Sequence, residues 1–322
     1  MAETLTLAHI QNARQHIAPC VRRTPLTASA ALSERLKTNV YVKLELFQKT
    51  GSFKVRGAFN KALGLSAEER GQGLVAVSGG NHAQAVAYAA RTLGLKSVIL
   101  MPESTPANYV DATRGYGAEI HFAANVGAAF AEVAEYERQG WAYIHPFDDP
   151  IVIAGQGTIG LEILDDVPQV TDIIVSVGGG GLIGGIATAV RSLKPTVRMW
   201  GVETEGADCM SKSLAAGQIV TLETITSIAR TLGAPAPSEM TLAMAQNLLE
   251  SVTVVSDGEA LTALRFLLER LKVLTEPAAS CTLAAADRLK DQFSKERHVV
   301  LVLCGGNMPF EDLARLPSAQ SQ

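Results

Sequence analysis

The stretch DIIVSVGGGGLIGGIATAV, residues 172–190, decides the fold. An apolar, β-branched run reaches four consecutive glycines and continues into an Ala/Ile-rich segment at helical spacing, which predicts a strand, a glycine turn and a helix. Free backbone N–H groups at such a helix N-terminus bind anions such as phosphate. Gly179, Gly181 and Gly184 also match G-x-G-x-x-G, with Glu203 near the end of the next apolar run, which is the fingerprint of a dinucleotide site. The stretch predicts a phosphate-binding turn but does not identify the ligand that carries the phosphate.

Short apolar runs alternate with amphipathic segments along most of the chain, for example residues 74–80 before 81–94, and 96–102 before 108–117. This alternation predicts an α/β fold with parallel sheets covered by helices. Ligands bind such folds at the carboxyl ends of the strands, where the glycine turns lie. The least regular stretch is about 204–257, and we expect it to help shape a side-chain pocket.

Composition and charge exclude several classes of protein. The chain has 322 residues, 47% hydrophobic and 19% charged, which is ordinary for a globular protein long enough for two domains. Its net charge of −4 and the absence of a Lys/Arg-rich block argue against a nucleic-acid or membrane surface. The four cysteines are scattered, without the spacing of a zinc site or a disulfide framework. We expect a cytoplasmic protein without a signal peptide or a membrane span.

A second motif, TGSFKVRGAFN at residues 50–60, holds Lys54 between a Gly/Ser turn and a helical segment. A lone lysine is usually a solvated surface residue. Lys54, however, follows Phe53 and a glycine turn, which is a poor place for a merely solubilising charge. A desolvated lysine has a lowered pKa and can form a Schiff base with a carbonyl cofactor.

A third motif, SGGNHAQ at residues 78–84, follows a strand and precedes a helix. One interpretation is a Ser/Asn helix cap. The other is a nest that binds a carboxylate, in which Asn81 contacts the ligand and His82 acts through its backbone N–H.

Six motifs in order resemble those of the fold-type II pyridoxal-phosphate enzymes, within them the threonine/serine dehydratase and serine racemase group. The resemblance runs from Arg22 to Asn307. The motifs are KLELFQKTGSFKVRGA, SGGNHAQAVA, AGQGTIGLEI, SVGGGGLIGG, GVE and LCGGN. The resemblance implies two parallel-sheet α/β domains of the tryptophan synthase β-like kind, with the cofactor in the cleft between them. We expect residues 1–50 and 148–322 to form the large domain and 51–147 the small one, without a C-terminal regulatory domain.

The resemblance implies roles for residues at these motifs. Those for the cofactor, pyridoxal 5′-phosphate, are Phe53, Lys54, Asn81, Gly178, Gly179, Gly180, Gly181, Leu182 and Cys304. Those for the substrate carboxylate are Ser52, Ser78, Asn81, His82 and Gln156. Lys54 would be the Schiff-base lysine and the base, and Cys304 would face the pyridine nitrogen, where the family usually has serine.

The implied activity is β-elimination of a β-hydroxy amino acid, such as L-threonine or L-serine, to a 2-oxo acid and ammonia, by a homodimer. Racemases of this group carry a second base, a serine, where this chain has Gly79, so we expect elimination. The resemblance also implies a Mg²⁺ or Ca²⁺ site at Glu203, the Ala207 carbonyl and Asp208, but Cys209 stands where the family has aspartate. Glu203 is alternatively a surface carboxylate at a strand end.

Several alternatives stay open. Within the family they are a serine racemase and a dehydratase specific for hydroxyaspartate, phenylserine or a substrate of hydroxyectoine breakdown. From another class, an NAD-dependent oxidoreductase would use the glycine fingerprint, but it explains neither Lys54 nor the nest at residues 78–81. A non-enzymatic amino-acid-binding module would leave Lys54 without a role.

Overall fold

A computed structural model describes residues 5–315 of the protein, and in this range the chain forms ten strands and twelve α-helices. The strands are β1 (Leu26–Ala28), β2 (Asn39–Leu44), β3 (Leu74–Val77), β4 (Ser97–Pro102), β5 (Glu119–Ala123), β6 (Ala142–Tyr143), β7 (Asp172–Ser176), β8 (Arg198–Thr204), β9 (Ser251–Val255) and β10 (His298–Leu303). The helices are α1 (Leu7–Ile17), α2 (Ala30–Leu36), α3 (Val55–Gly64), α4 (Asn81–Leu93), α5 (Ala107–Gly115), α6 (Val126–Arg138), α7 (Pro150–Asp166), α8 (Gly181–Leu193), α9 (Cys209–Ala216), α10 (Glu239–Leu248), α11 (Asp257–Phe266) and α12 (Pro277–Arg288). No helix within residues 5–315 is both long and apolar enough to span a bilayer.

A six-stranded sheet has the order β1-β2-β10-β7-β8-β9. Every neighbouring pair is parallel except β1 and β2 at one edge. Its central strands β7 and β10 are buried almost throughout, as expected for strands covered on both faces. The sheet therefore aligns the carboxyl ends of β7, β8 and β10 along one edge.

A four-stranded sheet has the order β5-β4-β3-β6 and is parallel throughout. The predicted α/β class with parallel sheets is confirmed. The strands of this sheet come from residues 74–143, whereas those of the larger sheet come from 26–44 and 172–303. This distribution agrees with the expected domain boundaries, which remain a prediction.

The stretch 204–257 is more regular than its composition suggested. It contains α9, α10 and β9, and its irregular part is confined to about residues 217–238. The sequence pattern did not predict these elements because α9 and α10 are short and their apolar stripes are weak. Strand β6, by contrast, is only two residues long.

A buried ionic network joins β2, α3 and α7. The Arg56 guanidinium donates to both Glu45 oxygens at 2.8 and 2.9 Å and to both Glu162 oxygens at 2.7 and 3.0 Å. The Lys43 ammonium also donates to Glu162 and, at 2.8 Å, to the Thr24 carbonyl. Two cations face two carboxylates, and all four side chains are buried, so each charge depends on its partners.

Replacing Arg56 with Met should lower the free energy of unfolding by about 3–5 kcal/mol, because Glu45 and Glu162 would keep buried charges without their main partner. The measurement is denaturant unfolding of the purified protein. Arg14→Met removes an ion pair whose partners are about half exposed, with Asp165, and should cost less than about 1 kcal/mol. Equal losses in the two variants would contradict this account of the network.

Candidate active site

The predicted site segments lie at or near the carboxyl ends of parallel strands. Asn81 begins α4 shortly after β3, Gly178 follows β7, and Cys304 follows β10 directly. Lys54 immediately precedes α3. Residues far apart in the sequence are thereby brought to one region, as the α/β class predicts.

Lys54 lies against a carbonyl of a segment not singled out from the sequence. Its ammonium donates to the Pro146 carbonyl at 2.7 Å and lies 5.3 Å from the centre of the Phe53 ring. Burial lowers the pKa of Lys54 to about 8, and the Glu276 carboxylate partly offsets this effect. A lysine with this pKa has a substantial neutral fraction near pH 8, so it can act as a nucleophile and a base.

The loop before Lys54 is pinned to the end of β10. The Phe53 amide donates to the Cys304 carbonyl at 3.1 Å, and Ser52 forms a bridge with Gly305. The Ser52 hydroxyl is buried and has no hydrogen-bond partner among the described residues. Burial raises the pKa of Cys304 well above its usual range, so its side chain is a neutral thiol, 3.8 Å from the Ser176 hydroxyl.

The turn before α4 is not a Ser/Asn helix cap, because Gly80 is the N-cap residue of α4 and no side chain caps the helix. The Ser78 hydroxyl accepts from the Gly80 amide at 3.1 Å, so it stabilises its own turn. The His82 ring contacts the Ile144 carbonyl through Nε2 at 2.7 Å, and burial lowers the pKa of His82 to about 3. His82 is therefore neutral near neutral pH and only a weak base. Its backbone amide has no hydrogen-bond acceptor within residues 5–315.

Asn81 is held on both sides of its amide. Its Nδ2 donates to the two oxygens of Glu276 at 2.9 and 3.1 Å, and its Oδ1 accepts from Asn307 Nδ2 at 2.8 Å. Asn307 Nδ2 also donates to the Thr50 carbonyl at 2.7 Å. Thr50 has a φ of 61°, a strained value for a β-branched residue, so the loop before Lys54 depends on this contact.

The glycine turn after β7 presents free backbone donors. Within the described chain, no acceptor lies within hydrogen-bond reach of the amides of Gly178, Gly179, Gly180, Gly181 and Leu182. These amides lie at the N-terminus of a 13-residue helix, whose dipole adds positive potential. The turn has the geometry of an anion site.

The glycines are also required by protein contacts, which the sequence did not show. A Cβ on Gly179 would lie 2.2 Å from the Phe147 ring, and one on Gly178 would lie 3.0 Å from the Leu232 carbonyl oxygen. Gly180 has a φ of +91°, a conformation that glycine adopts without strain. A close-approaching ligand is therefore not the sole reason for the glycine row.

The dinucleotide interpretation is wrong. Gly184 packs against Met244 of α10 rather than opening toward a ligand. Glu203 is buried, and its two oxygens accept from the amides of Met210 and Ser211 at 2.9 and 2.7 Å. A carboxylate engaged in this way does not bind a ribose.

The contacts of Glu203 with the amides of Met210 and Ser211 also engage a predicted ligand of the cation site. Glu203 caps the N-terminus of α9, and burial raises its pKa to about 7. Asp208 Oδ1 lies 3.0 Å from Lys212. Within residues 5–315, no three His, Cys, Asp or Glu side chains form a group that could hold a metal ion. The structure does not support a Mg²⁺ or Ca²⁺ site at Glu203, Ala207 and Asp208.

Gln156 lies on α7 and is buried. Its Oε1 accepts from the Gly57 amide at 3.2 Å, whereas its Nε2 has no hydrogen-bond partner among the described residues. Together with the Ser52 hydroxyl, this nitrogen is a buried donor that a ligand carboxylate would satisfy.

Three residues of the site were missed from the sequence. Phe147 packs on the glycine turn, Glu276 contacts Asn81, and Thr231 contacts Glu276 from a 3₁₀ turn at Arg230–Leu232. None lies in a glycine-rich motif, and tertiary packing alone brings them together. Only Glu276 had a signal in the sequence, because it directly precedes Pro277 and a proline often starts a helix.

Fold and site together define a parallel α/β protein in which a lysine of lowered pKa lies among unsatisfied amide and side-chain donors. Residues 17–305 match the family model described as "Pyridoxal-phosphate dependent enzyme", and the chain belongs to this family.

Relatives and solved structures agree with this membership. An L-threonine ammonia-lyase of Geobacter sulfurreducens is 42% identical over 309 residues, 95% of this chain and 76% of the relative. An L-threonine ammonia-lyase of Thermotoga maritima is 40% identical over 314 residues, 97% of this chain and 78% of the relative. The structure of maize serine racemase superposes with a TM-score of 0.92 at 36% identity, covering 97% of both chains.

The residues present fit pyridoxal phosphate. A phosphate matches the row of free amides at α8, and a substrate carboxylate matches the unpartnered donors of Ser52 and Gln156 and the His82 amide. The Lys54 amine supplies the nucleophile that this carbonyl cofactor requires.

Gly179→Ala should weaken binding of pyridoxal phosphate about tenfold or more, because the new methyl group displaces the Phe147 ring from the glycine turn. Fluorescence titration of the apoprotein measures the change. Gly184→Ala is the matched control, since its methyl group would meet the flexible Met244 side chain away from the turn. Wild-type affinity in Gly179→Ala would show that Phe147 does not fix the turn.

Proposed function

We propose that this protein is a pyridoxal-phosphate dependent ammonia-lyase that eliminates water from a β-hydroxy amino acid such as L-threonine or L-serine, giving a 2-oxo acid and ammonia. The observation that carries the proposal is Lys54, whose pKa is lowered by burial and whose ammonium donates to the Pro146 carbonyl, next to the Phe147 ring that packs on the glycine turn. The names of the two ammonia-lyase relatives support the reaction class.

Pyridoxal phosphate, when bound, supplies an electron sink for the pair left when the Cα–H bond of an amino acid breaks. The amides of Gly178, Gly179, Gly180, Gly181 and Leu182 would hold its phosphate, and Phe53 would pack against its ring. Cys304, a neutral thiol, would face the ring nitrogen. A neutral partner leaves this nitrogen unprotonated, which suits elimination better than a long-lived carbanion.

The remaining residues act on the substrate. Ser78, Asn81 and the His82 amide bind the substrate carboxylate, with the free donors of Ser52 and Gln156. The Lys54 amine accepts the Cα proton, which its pKa of about 8 allows near neutral pH. Family membership also leads us to propose a cytoplasmic homodimer.

Lys54→Ala should lower release of the 2-oxo acid by more than about 10³-fold, because covalent attachment of the cofactor and proton transfer are both lost. The assay compares L-threonine, L-serine, 3-hydroxyaspartate and 3-phenylserine. Lys61→Ala changes another lysine of the same helical segment, which pairs with Asp149, and should retain activity. Appreciable dehydration by Lys54→Ala would refute the assignment.

Racemisation is the second candidate, because the maize serine racemase structure is similar over nearly the whole chain. Gly79 stands where the group's racemases have their serine. A Cβ at this position would lie 2.4 Å from the Thr105 hydroxyl, which donates to the Pro102 carbonyl at 2.7 Å. Thr105 thus occupies the space that a second base would need, and this favours elimination.

We expect the wild-type protein to form D-serine from L-serine far more slowly than it forms the 2-oxo acid. Gly79→Ser combined with Thr105→Ala makes room for a serine side chain and should raise D-serine formation, whereas Gly79→Ser alone should not. Chiral chromatography measures both products. Efficient D-serine formation by the wild type would favour the racemase.

A further inference from the structure

Glu276 is a buried carboxyl group without an ion-pair partner within 4.0 Å among the described residues. It precedes α12, and only 2% of its surface is exposed. Its hydrogen bonds come from the neutral Asn81 amide, and the Thr231 hydroxyl, also neutral, favours its ionised form. A buried carboxylate paired only with neutral groups is costly for stability, so stability does not explain Glu276.

The surroundings of Glu276 come from several elements. A Cβ on Gly305 would lie 2.6 Å from its Oε1, so the segment after β10 packs directly against the carboxyl group. The titratable groups that interact with it electrostatically are Lys54 before α3, Tyr109 of α5, Cys281 of α12 and Cys304 after β10. Burial raises the pKa of Glu276 to about 7, while Asn81, Thr231 and Lys54 act in the opposite direction.

The position of Glu276 decides how Asn81 is oriented. Because Glu276 accepts and Asn307 donates, the Asn81 amide can lie in one orientation only, with its nitrogen toward Glu276. The Asn81 amino group carries two N–H groups, and both oxygens of Glu276 lie within hydrogen-bond distance of its nitrogen. Lys54 is the cation that interacts electrostatically with Glu276. The negative charge of Glu276 stabilises the protonated form of Lys54.

We propose that Glu276 is a positioning residue that directs the Asn81 amide toward the cofactor ring and keeps a negative charge beside the nitrogen of Lys54. The inference rests on the proposed function for the identity of the cofactor. The charge of Glu276 does not depend on the substrate, and it acts on Lys54 in the apoprotein as well. Glu276 therefore raises the pH at which the Lys54 amine becomes free to react, against the larger effect of burial.

The test compares the wild type with Glu276→Gln in the apoprotein and in the holoenzyme. In the apoprotein, the pH dependence of Lys54 labelling by trinitrobenzenesulfonate, read by peptide mass spectrometry, should have its midpoint near pH 8 in the wild type. Loss of the negative charge should move this midpoint to lower pH in Glu276→Gln. In the holoenzyme, kcat should fall about tenfold or more and KM should rise, because Asn81 contacts both the cofactor ring and the substrate carboxylate in the proposed site.

Two further variants complete the test. Glu276→Asp keeps the charge and should restore much of the wild-type midpoint, whereas Glu259→Gln, which changes a surface carboxyl paired with Arg288, should leave it unchanged. If Glu276→Gln does not fold, Thr231→Val removes one hydrogen bond that favours the carboxylate and should shift the midpoint in the same direction. Unchanged midpoints in Thr231→Val and in every folded Glu276 variant would overturn the proposal. Labelling of the apoprotein requires no turnover, so this result is distinct from a failure of the proposed reaction.

Discussion

The bidentate contacts of Arg56 with Glu45 and Glu162 are the constraint on which the site depends. Arg56 lies two residues after Lys54, in the first turn of α3, and its partners precede the lysine loop and lie on α7. Four charges that cancel in the interior need fixed geometry, because each alone would be costly to bury. The network therefore fixes the start of α3, and with it Lys54, against both the larger sheet and α7.

The glycine turn is shaped by protein packing and also presents free backbone amides. Phe147 and Leu232 approach Gly179 and Gly178 so closely that side chains are excluded, and this packing leaves the backbone amides bare. The segment that supplies Phe147 also supplies the Pro146 carbonyl that holds Lys54. One short segment thus sets the relation between the lysine and the anion-binding turn.

Much of the fold and part of the site could be predicted from the sequence, because strand, glycine turn and helix are local patterns. Residues adjacent in the chain determine the α/β class and the free amides of the glycine turn. They also place Lys54 at the start of a helix, in a motif apart from that turn. Glu276 and Phe147 could not be found in this way, since they reach the site by packing between distant segments. The cation site came from resemblance alone, and the substitution at Cys209 together with the helix-capping role of Glu203 leaves it without support.

The distribution of charge explains why one lysine can serve several purposes. Burial keeps His82 and the Cys304 thiol neutral, and backbone amides rather than cationic side chains line both turns. The anionic groups of a ligand can therefore bind to backbone amides. They do not require a second cationic side chain beside Lys54. Glu276 supplies the opposing charge at the far side of Asn81, so the proton affinity of the lysine depends on a carboxyl group that binds neither phosphate nor substrate carboxylate.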